Sequence, residues 1–207
     1  RLERGLTATA QDVEACAPDT IILATGAETP WDGPALDDGL PLPSLRALVQ
    51  DALRRAGPMG DGLLLIDRDD SIWVYRAAEL LADRFATVTV LSEWEVPAQR
   101  EPLVVRQGML ERLAARRVRV ENNARVDLAP DDLMQGAVGF HHLLTGARLR
   151  VEGIDAVAHA SPRRPRTALL TALRERGHAP QVIGDAYQPR ALMQAVAEGR
   201  RAGQAIR

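Results

Sequence analysis

The chain has no lysine, a single cysteine and no long apolar run, and each shortage excludes a class of function. All 26 basic residues are arginine, set against 28 acids for a formal net charge of −2. The arginines are scattered among the acids, so no one-signed face forms and no nucleic-acid partner is expected. Cys16 alone cannot build an internal disulfide, a Cys-x-x-Cys redox pair or a cysteine cage for zinc or iron–sulfur. No apolar stretch approaches the roughly 20 residues of a membrane span, and no leader pattern precedes the first element. The expectation is a soluble, cytoplasmic protein without a membrane partner. The exclusive use of arginine, with abundant alanine, reads as the coding bias of a GC-rich bacterium. A Ser-His-Asp order, a His-Glu-x-x-His helix and a Walker loop are also absent, so no catalytic residue is named.

What is present is a globular α/β pattern. At 207 residues and 46% apolar content, the chain is one large or two small domains with ample material for a core. Ala10–Ala17 reads as a helix ended by Pro18. Thr20–Ala27 follows, a run of apolar residues without polar alternation, as expected of a strand covered on both faces. It closes on Thr25-Gly26. The Pro, Gly and Asp of Glu28–Pro43 read as a crossover linker, after which Ser44 caps a helix over Leu45–Arg55.

A second α/β unit spans the middle. Gly62–Asp67 reads as a buried strand, Tyr75–Phe85 as an amphipathic helix and Thr87–Leu91 as a second strand. That spacing belongs to a dinucleotide-binding β-α-β unit. The turn that should meet the pyrophosphate, Asp67 to Tyr75, contains no glycine and three aspartates, and Gly60-x-Gly62 lies before the strand instead of after it. A Rossmann topology is expected here without a working nicotinamide-cofactor site. Residues 103–117 form a helix with Leu103, Met109, Leu110 and Leu113 toward the core, and Val118–Val120 starts another strand. A hairpin is expected over Ala137–Leu144 and Arg148–Val151; its neighbours His141 and His142 point to opposite faces, so they share no metal. Ile154–His159 is a further strand. It leads to the basic Ser161–Arg166, read as a solvated loop whose Arg163, Arg164 and Arg166 could otherwise meet a phosphate or an acidic partner, and then to a helix over Thr167–Arg176.

The closing stretch, Gln181–Ile206, organises the whole. A short strand (Gln181-Val182-Ile183) delivers Gly184-Asp185 to a helix that Pro189 can open. Leu192, Ala195, Val196, Gly199, Ala202 and Ile206 give that helix a narrow face of mostly small residues, suited to lie against a sheet. Gly184 lets backbone approach a ligand, the helix start offers N–H groups to a phosphate, and Asp185 can accept bonds from sugar or ribityl hydroxyls. An ordinary strand–turn–helix with Asp185 as its cap is the alternative.

These pieces together resemble the C-terminal half of the trimethylamine dehydrogenase and 2,4-dienoyl-CoA reductase family, within the flavoprotein pyridine-nucleotide (NADH:flavin) oxidoreductases. The residues that carry the resemblance are Ala24-Thr25-Gly26-Ala27, Ala78-Glu79-Leu80-Leu81-Ala82, Val88-Thr89-Val90, Gly184-Asp185-Ala186 and Pro189-Arg190. The glycine-free turn after Asp67 looks more like the amine-dehydrogenase branch. The resemblance implies a Rossmann-like three-layer α/β fold, with an NAD(P)-type domain over 60–175 inserted into a truncated FAD- or ADP-type domain of 1–45 and 178–207. It implies FAD or ADP as cofactor, held by Thr25, Gly26, Gly184, Asp185, Pro189 and Arg190. The parent enzyme of such a piece also carries FMN and an iron–sulfur cluster in an N-terminal barrel, which would be this chain's partner, and oxidises an amine or reduces an enoyl substrate. The chain would then be non-catalytic by itself, with open sheet edges that invite a homodimer. The rival expectation is a degenerate Rossmann scaffold that docks the barrel or an electron-transfer partner without bound nucleotide.

Overall fold

The computed structural model describes residues 2–31, 42–129, 132 and 134–206. In chain order the elements are α1 (Ala10–Ala15), β1 (Ile22–Leu23), β2 (Ala27–Glu28), α2 (Leu45–Arg54), β3 (Gly60–Asp67), α3 (Ile72–Leu81), β4 (Phe85–Ser92) and α4 (Leu103–Ala115). They continue with β5 (Arg119–Glu121), β6 (Ala124–Asp127), β7 (Ala137–His142), β8 (Arg148–Glu152), β9 (Ala156–Ala160), β10 (Arg164–Pro165), α5 (Ala168–Glu175), β11 (Gln181–Val182) and α6 (Leu192–Ala205). Most of the linker expected over Glu28–Pro43 lies outside the described residues. No helix among the described residues is long and apolar enough to cross a membrane.

Packing divides the chain into two compact units, Arg1–Glu28 with Arg163–Arg207, and Thr29–Pro162. This division differs from the expected 1–45 and 178–207 against 60–175. Leu173 of α5 shares a core with Ala10 and Leu23, whereas Leu45 of α2 joins the core around Leu63 and Leu65.

The second unit is the Rossmann-like one. Its parallel sheet has the order β5-β4-β3-β9. The run Leu63–Ile66 is fully buried because it is covered on both sides, as an apolar strand without alternation requires. Leu63 and Leu65 face α2, α3 and α4 through Ala52, Val74, Ala78, Leu81, Met109 and Leu113. Leu64 and Ile66 face the other way, onto Val138, Phe140 and Val151 of the antiparallel sheet β6-β7-β8. The layers are therefore helices, parallel sheet and antiparallel sheet. Gly60 and Gly62 belong to β3 itself. Gly62 is needed there because a Cβ on it would stand 1.6 Å from the Gly153 carbonyl oxygen.

The structure departs from the sequence pattern at two helices and adds one strand. The helix α3 starts at Ile72, three residues before Tyr75, because the chain leaves the Asp67 turn directly into it; Phe85 opens β4 instead of closing the helix. In α4 only Met109 and Leu113 reach the core, while Leu103 and Leu110 are exposed. One four-residue step is all that the single covering layer accommodates. The strand β6 went unforeseen because Ala124–Asp127 alternates over only four residues; it completes the hairpin sheet by pairing with β7. In that sheet His141 reaches Asp127, 3.0 Å away, while the His142 ring accepts from the Leu144 and Thr145 amides.

The first unit is built on a two-stranded parallel sheet of β1 and β11 and a small antiparallel pair of β2 and β10. Here too the sequence reading needs correcting. In Thr20–Ala27 only Leu23 is buried, with Ile21 and Ile22 half covered, because β1 has one strand neighbour among the described residues. The closing helix begins at Leu192, with Ala191 as its cap, so Pro189 precedes it by a short loop. Leu192, Val196 and Ile206 are exposed and Ala202 alone on α6 is buried.

Candidate functional site

The first unit brings its two glycine turns together at the carboxyl ends of parallel strands, where open α/β sheets receive ligands. Leu23 lies beside Val182 in register, and the Ile183 N–H donates to the Leu23 carbonyl at 3.0 Å. The chain then leaves both strands at the same end through Thr25-Gly26 and Gly184-Asp185. Both glycines have positive φ, +73° and +63°, which a side chain would strain. A Cβ on Gly26 would meet nothing within 4 Å, and one on Gly184 only the Ala195 methyl at 3.6 Å. The turns are thus open to a ligand.

The basic segment after β9 fastens this region. The Thr25 hydroxyl donates to the Arg166 carbonyl at 3.1 Å, and the Arg166 N–H donates to the Gly26 carbonyl at 3.0 Å. Arg163 pairs with Asp185 Oδ2 and also donates to the Arg190 carbonyl at 3.0 Å. Asp185 Oδ1 accepts the Arg190 N–H at 3.2 Å. The Arg190 side chain turns away from Asp185: Nη2 binds Glu198, Nε donates to the Gln188 carbonyl, and the guanidinium lies 5.7 Å from the Tyr187 ring. Glu198 Oε2 accepts the Gly184 N–H at 2.7 Å, which with Arg190 holds its carboxyl below the usual range.

All six residues named from the sequence therefore lie in one unit. Thr25, Gly26, Gly184 and Asp185 stand at the strand ends, Pro189 shapes the loop between, and Arg190 braces the turn. No local pattern marks Glu198, and Arg163, one of the three arginines expected in a solvated loop or on a phosphate or acidic partner, pairs with Asp185 instead. The donors and acceptors fit the sugar end of a dinucleotide: Asp185 has oxygens with spare lone pairs beside two open glycine turns. The Gly184 N–H and Arg190 are already matched to Glu198, so a phosphate would have to be met elsewhere, and Ala191 leaves the first turn of α6 without a side-chain cap.

The second unit's equivalent turn is filled from within. Asp67, at the end of β3 and fully buried, accepts the N–H groups of Asp69 and Asp70 at 3.0 Å each. It also accepts the hydroxyls of Tyr75 at 2.7 Å and Ser92 at 3.3 Å. A carboxylate thus sits on the turn amides that a Rossmann site would offer to pyrophosphate. Burial pushes Asp67 above its ordinary value, although Tyr75 and the two amides pull the other way. The Tyr75 hydroxyl is in turn pushed up by burial and by Asp67. Asp70, with φ +53°, is fixed by the Gln99 N–H at 3.0 Å. Past β4, Glu93 stands between Arg68 at 3.8 Å and Arg125 at 3.3 Å. It occupies the position where such units keep an acid for the ribose.

No family model matches the chain, and no curated protein matches it in sequence. Solved structures do match in fold. Histamine dehydrogenase from Rhizobium sp. 4-9 superposes with a TM-score of 0.79 at 22% identity, over 96% of this chain and 32% of that one. The 6-hydroxypseudooxynicotine amine oxidase from Pseudomonas geniculata N1 gives 0.80 at 19%, over 97% and 31%. A 2-naphthoyl-CoA reductase gives 0.77 at 24%, over 97% and 29%. All three are members of the trimethylamine dehydrogenase and 2,4-dienoyl-CoA reductase family that the sequence resembles, so the resemblance holds in three dimensions. The chain spans about a third of the length of each.

Proposed function

We propose that this chain is the nucleotide-binding part of a larger flavin-dependent oxidoreductase and takes the ADP portion of FAD, or ADP itself, at the Thr25-Gly26 and Gly184-Asp185 turns. The observation that carries the reading is the parallel pairing of β1 with β11, which sets two open glycine turns and the Asp185 carboxylate side by side. Asp185 would accept from sugar or ribityl hydroxyls. FAD, when bound, would supply two-electron chemistry; ADP would supply none. The substrate of the whole enzyme, an amine or an enoyl compound, would react on a separate barrel domain carrying FMN and an iron–sulfur cluster. The chain would be non-catalytic by itself and act in the bacterial cytoplasm. Among the described residues β1 has one strand neighbour, which suits pairing with a second copy; a monomer in light scattering at high concentration would oppose that.

For the second unit a different role has specific support. Its turn amides are taken by Asp67 and its β4-terminal acid by two arginines, so we assign it a scaffold role, docking the barrel or an electron-transfer partner, without nucleotide. Calorimetric titration with ADP, FAD and NADPH tests both readings. The expected result is binding of ADP or FAD that Asp185→Ala abolishes, and no heat from NADPH. Binding of NADPH alone would overturn both assignments. Silence from all three would leave the scaffold reading for the entire chain.

A further inference from the structure

We infer that Glu198, halfway along α6, is the positioning residue of the Gly184-Asp185 turn, a role that rests on the nucleotide reading of that turn. Its two carboxylate oxygens do separate jobs. Oε2 accepts the Gly184 N–H at 2.7 Å, and Oε1 takes Nη2 of Arg190. Arg190 then reaches back through its own backbone, its N–H on Asp185 Oδ1 at 3.2 Å and its carbonyl on Arg163 at 3.0 Å. Arg163 closes the ring on Asp185 Oδ2.

The circuit Gly184–Glu198–Arg190–Asp185 thus clamps two consecutive turn residues from both sides with a single carboxylate. Gly184 has positive φ and no side chain to fix its peptide. Asp185 reaches its partners only as far as Arg190 and Arg163 stay put. Glu198 touches no predicted ligand atom; it acts through the two residues that would. Hydrogen bonds to a carboxylate are shorter and stronger than neutral ones, so Glu198 is a firm brace for such a turn. At metal sites, losing the partner that orients a ligand costs about 10–100-fold in affinity, and the lower end of that scale is expected for this turn.

The test uses the whole chain with ADP as the probe, in the wild type, Glu198→Ala and Glu198→Gln, alongside amide hydrogen exchange. Glu198→Ala removes both acceptors, whereas Glu198→Gln retains an oxygen for the Gly184 N–H. Expected results are an ADP affinity about 10-fold weaker in Glu198→Ala and rescue to within about 3-fold in Glu198→Gln. The Gly184 amide should exchange fast in the alanine variant while the Ile183 amide, bonded to Leu23, stays protected and reports an intact fold. Unchanged affinity in Glu198→Ala, or unchanged protection of Gly184, would overturn the inference. Tighter ADP binding by Glu198→Ala would overturn it too, making Glu198 a rival of the phosphate. If the wild type takes no ADP, the nucleotide reading fails, and the exchange of Gly184 alone decides whether Glu198 positions the turn.

Discussion

Replacing Tyr75 by Phe tests whether a buried carboxylate, and not a ligand, holds the turn of the second unit. The ring stays and one oxygen leaves, so packing around Tyr75 is conserved and Asp67 Oδ2 loses its shortest bond, 2.7 Å. Both side chains are fully buried, and no water replaces the lost donor at that depth. A hydrogen bond to a charged group contributes about 1.5–3 kcal/mol, so a loss of about 2 kcal/mol is expected near pH 8. With a urea m-value of about 1–3 kcal/mol per molar, the midpoint of the second unit's transition should fall by about 1 M.

The pH dependence sharpens the test. Asp67 is raised above its ordinary 3.8 mainly by burial, with Tyr75 pulling it down. A raised acid holds its proton more tightly when folded, so its contribution is fullest below 3.8 and is lost as pH rises through the folded value. Removing Tyr75's donor raises that value further. The penalty of Tyr75→Phe should therefore be largest at alkaline pH and shrink toward pH 4. In an Asp67→Asn background it should drop to about 1 kcal/mol, the scale of a neutral bond. A Tyr75→Phe variant within 0.5 kcal/mol of wild type at pH 8, or one equally damaged with and without Asp67, would refute the reasoning.

Two further outcomes follow from the same geometry. Gly62→Ala would place a methyl 1.6 Å from the Gly153 carbonyl oxygen, where Asp155 already binds the Asp61 and Gly62 amides at 2.8 and 3.1 Å. The loop must retreat, at a cost at or above the upper end of the ~1–3 kcal/mol typical of overpacking, measured by urea unfolding. In the first unit, Glu14 accepts from Arg176 at 2.7 Å and lies 3.1 Å from His178, which holds its carboxyl below the ordinary 4.5. A lowered acid contributes above 4.5 and stops doing so as pH falls through its folded value. Protection factors of the α1 amides, taken against the intrinsic exchange rate at each pH, should fall on acidification through that window, and Glu14→Gln should flatten the response; an equally steep fall in the variant would contradict it.

Much of the fold was legible because local rules and burial agreed. Leu63–Ile66 reads as a two-sided strand from its unbroken apolar run, and Ser44 announces α2 because its hydroxyl can accept the Ala47 N–H, as it does at 3.2 Å. The misreadings have a common cause. Leu192, Val196 and Ile206 have the period of a buried stripe, yet the unit holding α6 offers only two-stranded sheets among the described residues, and the helix settles on Ala195, Glu198, Gly199 and Ala202. Periodicity states which side could be buried, whereas the neighbours decide which side is. The site was half legible for a related reason. Gly184 and Asp185 declare themselves through backbone needs that any fold must meet. Glu198 comes to Gly184 across 14 residues of sequence, and Arg163 to Asp185 across 22. Those meetings depend on how the loops return, which no local pattern records.

The two units show one backbone device with opposite fillings. Each has a strand end whose amides suit an anion, and each has met an internal carboxylate. In the second unit Asp67 is local, buried and bonded four times, so any ligand would have to strip a carboxylate of all its donors and find nowhere to move it. In the first, Glu198 takes one amide from a partly exposed position on a helix and leaves the Asp185 carboxylate, itself held by Arg163 and the Arg190 N–H, at the strand ends. On the proposed nucleotide reading, selectivity between the units needs no difference in fold. It follows from whether the resident carboxylate closes the turn or only steadies it, which is why glycine content alone, absent in one turn and present in the other, already separated them.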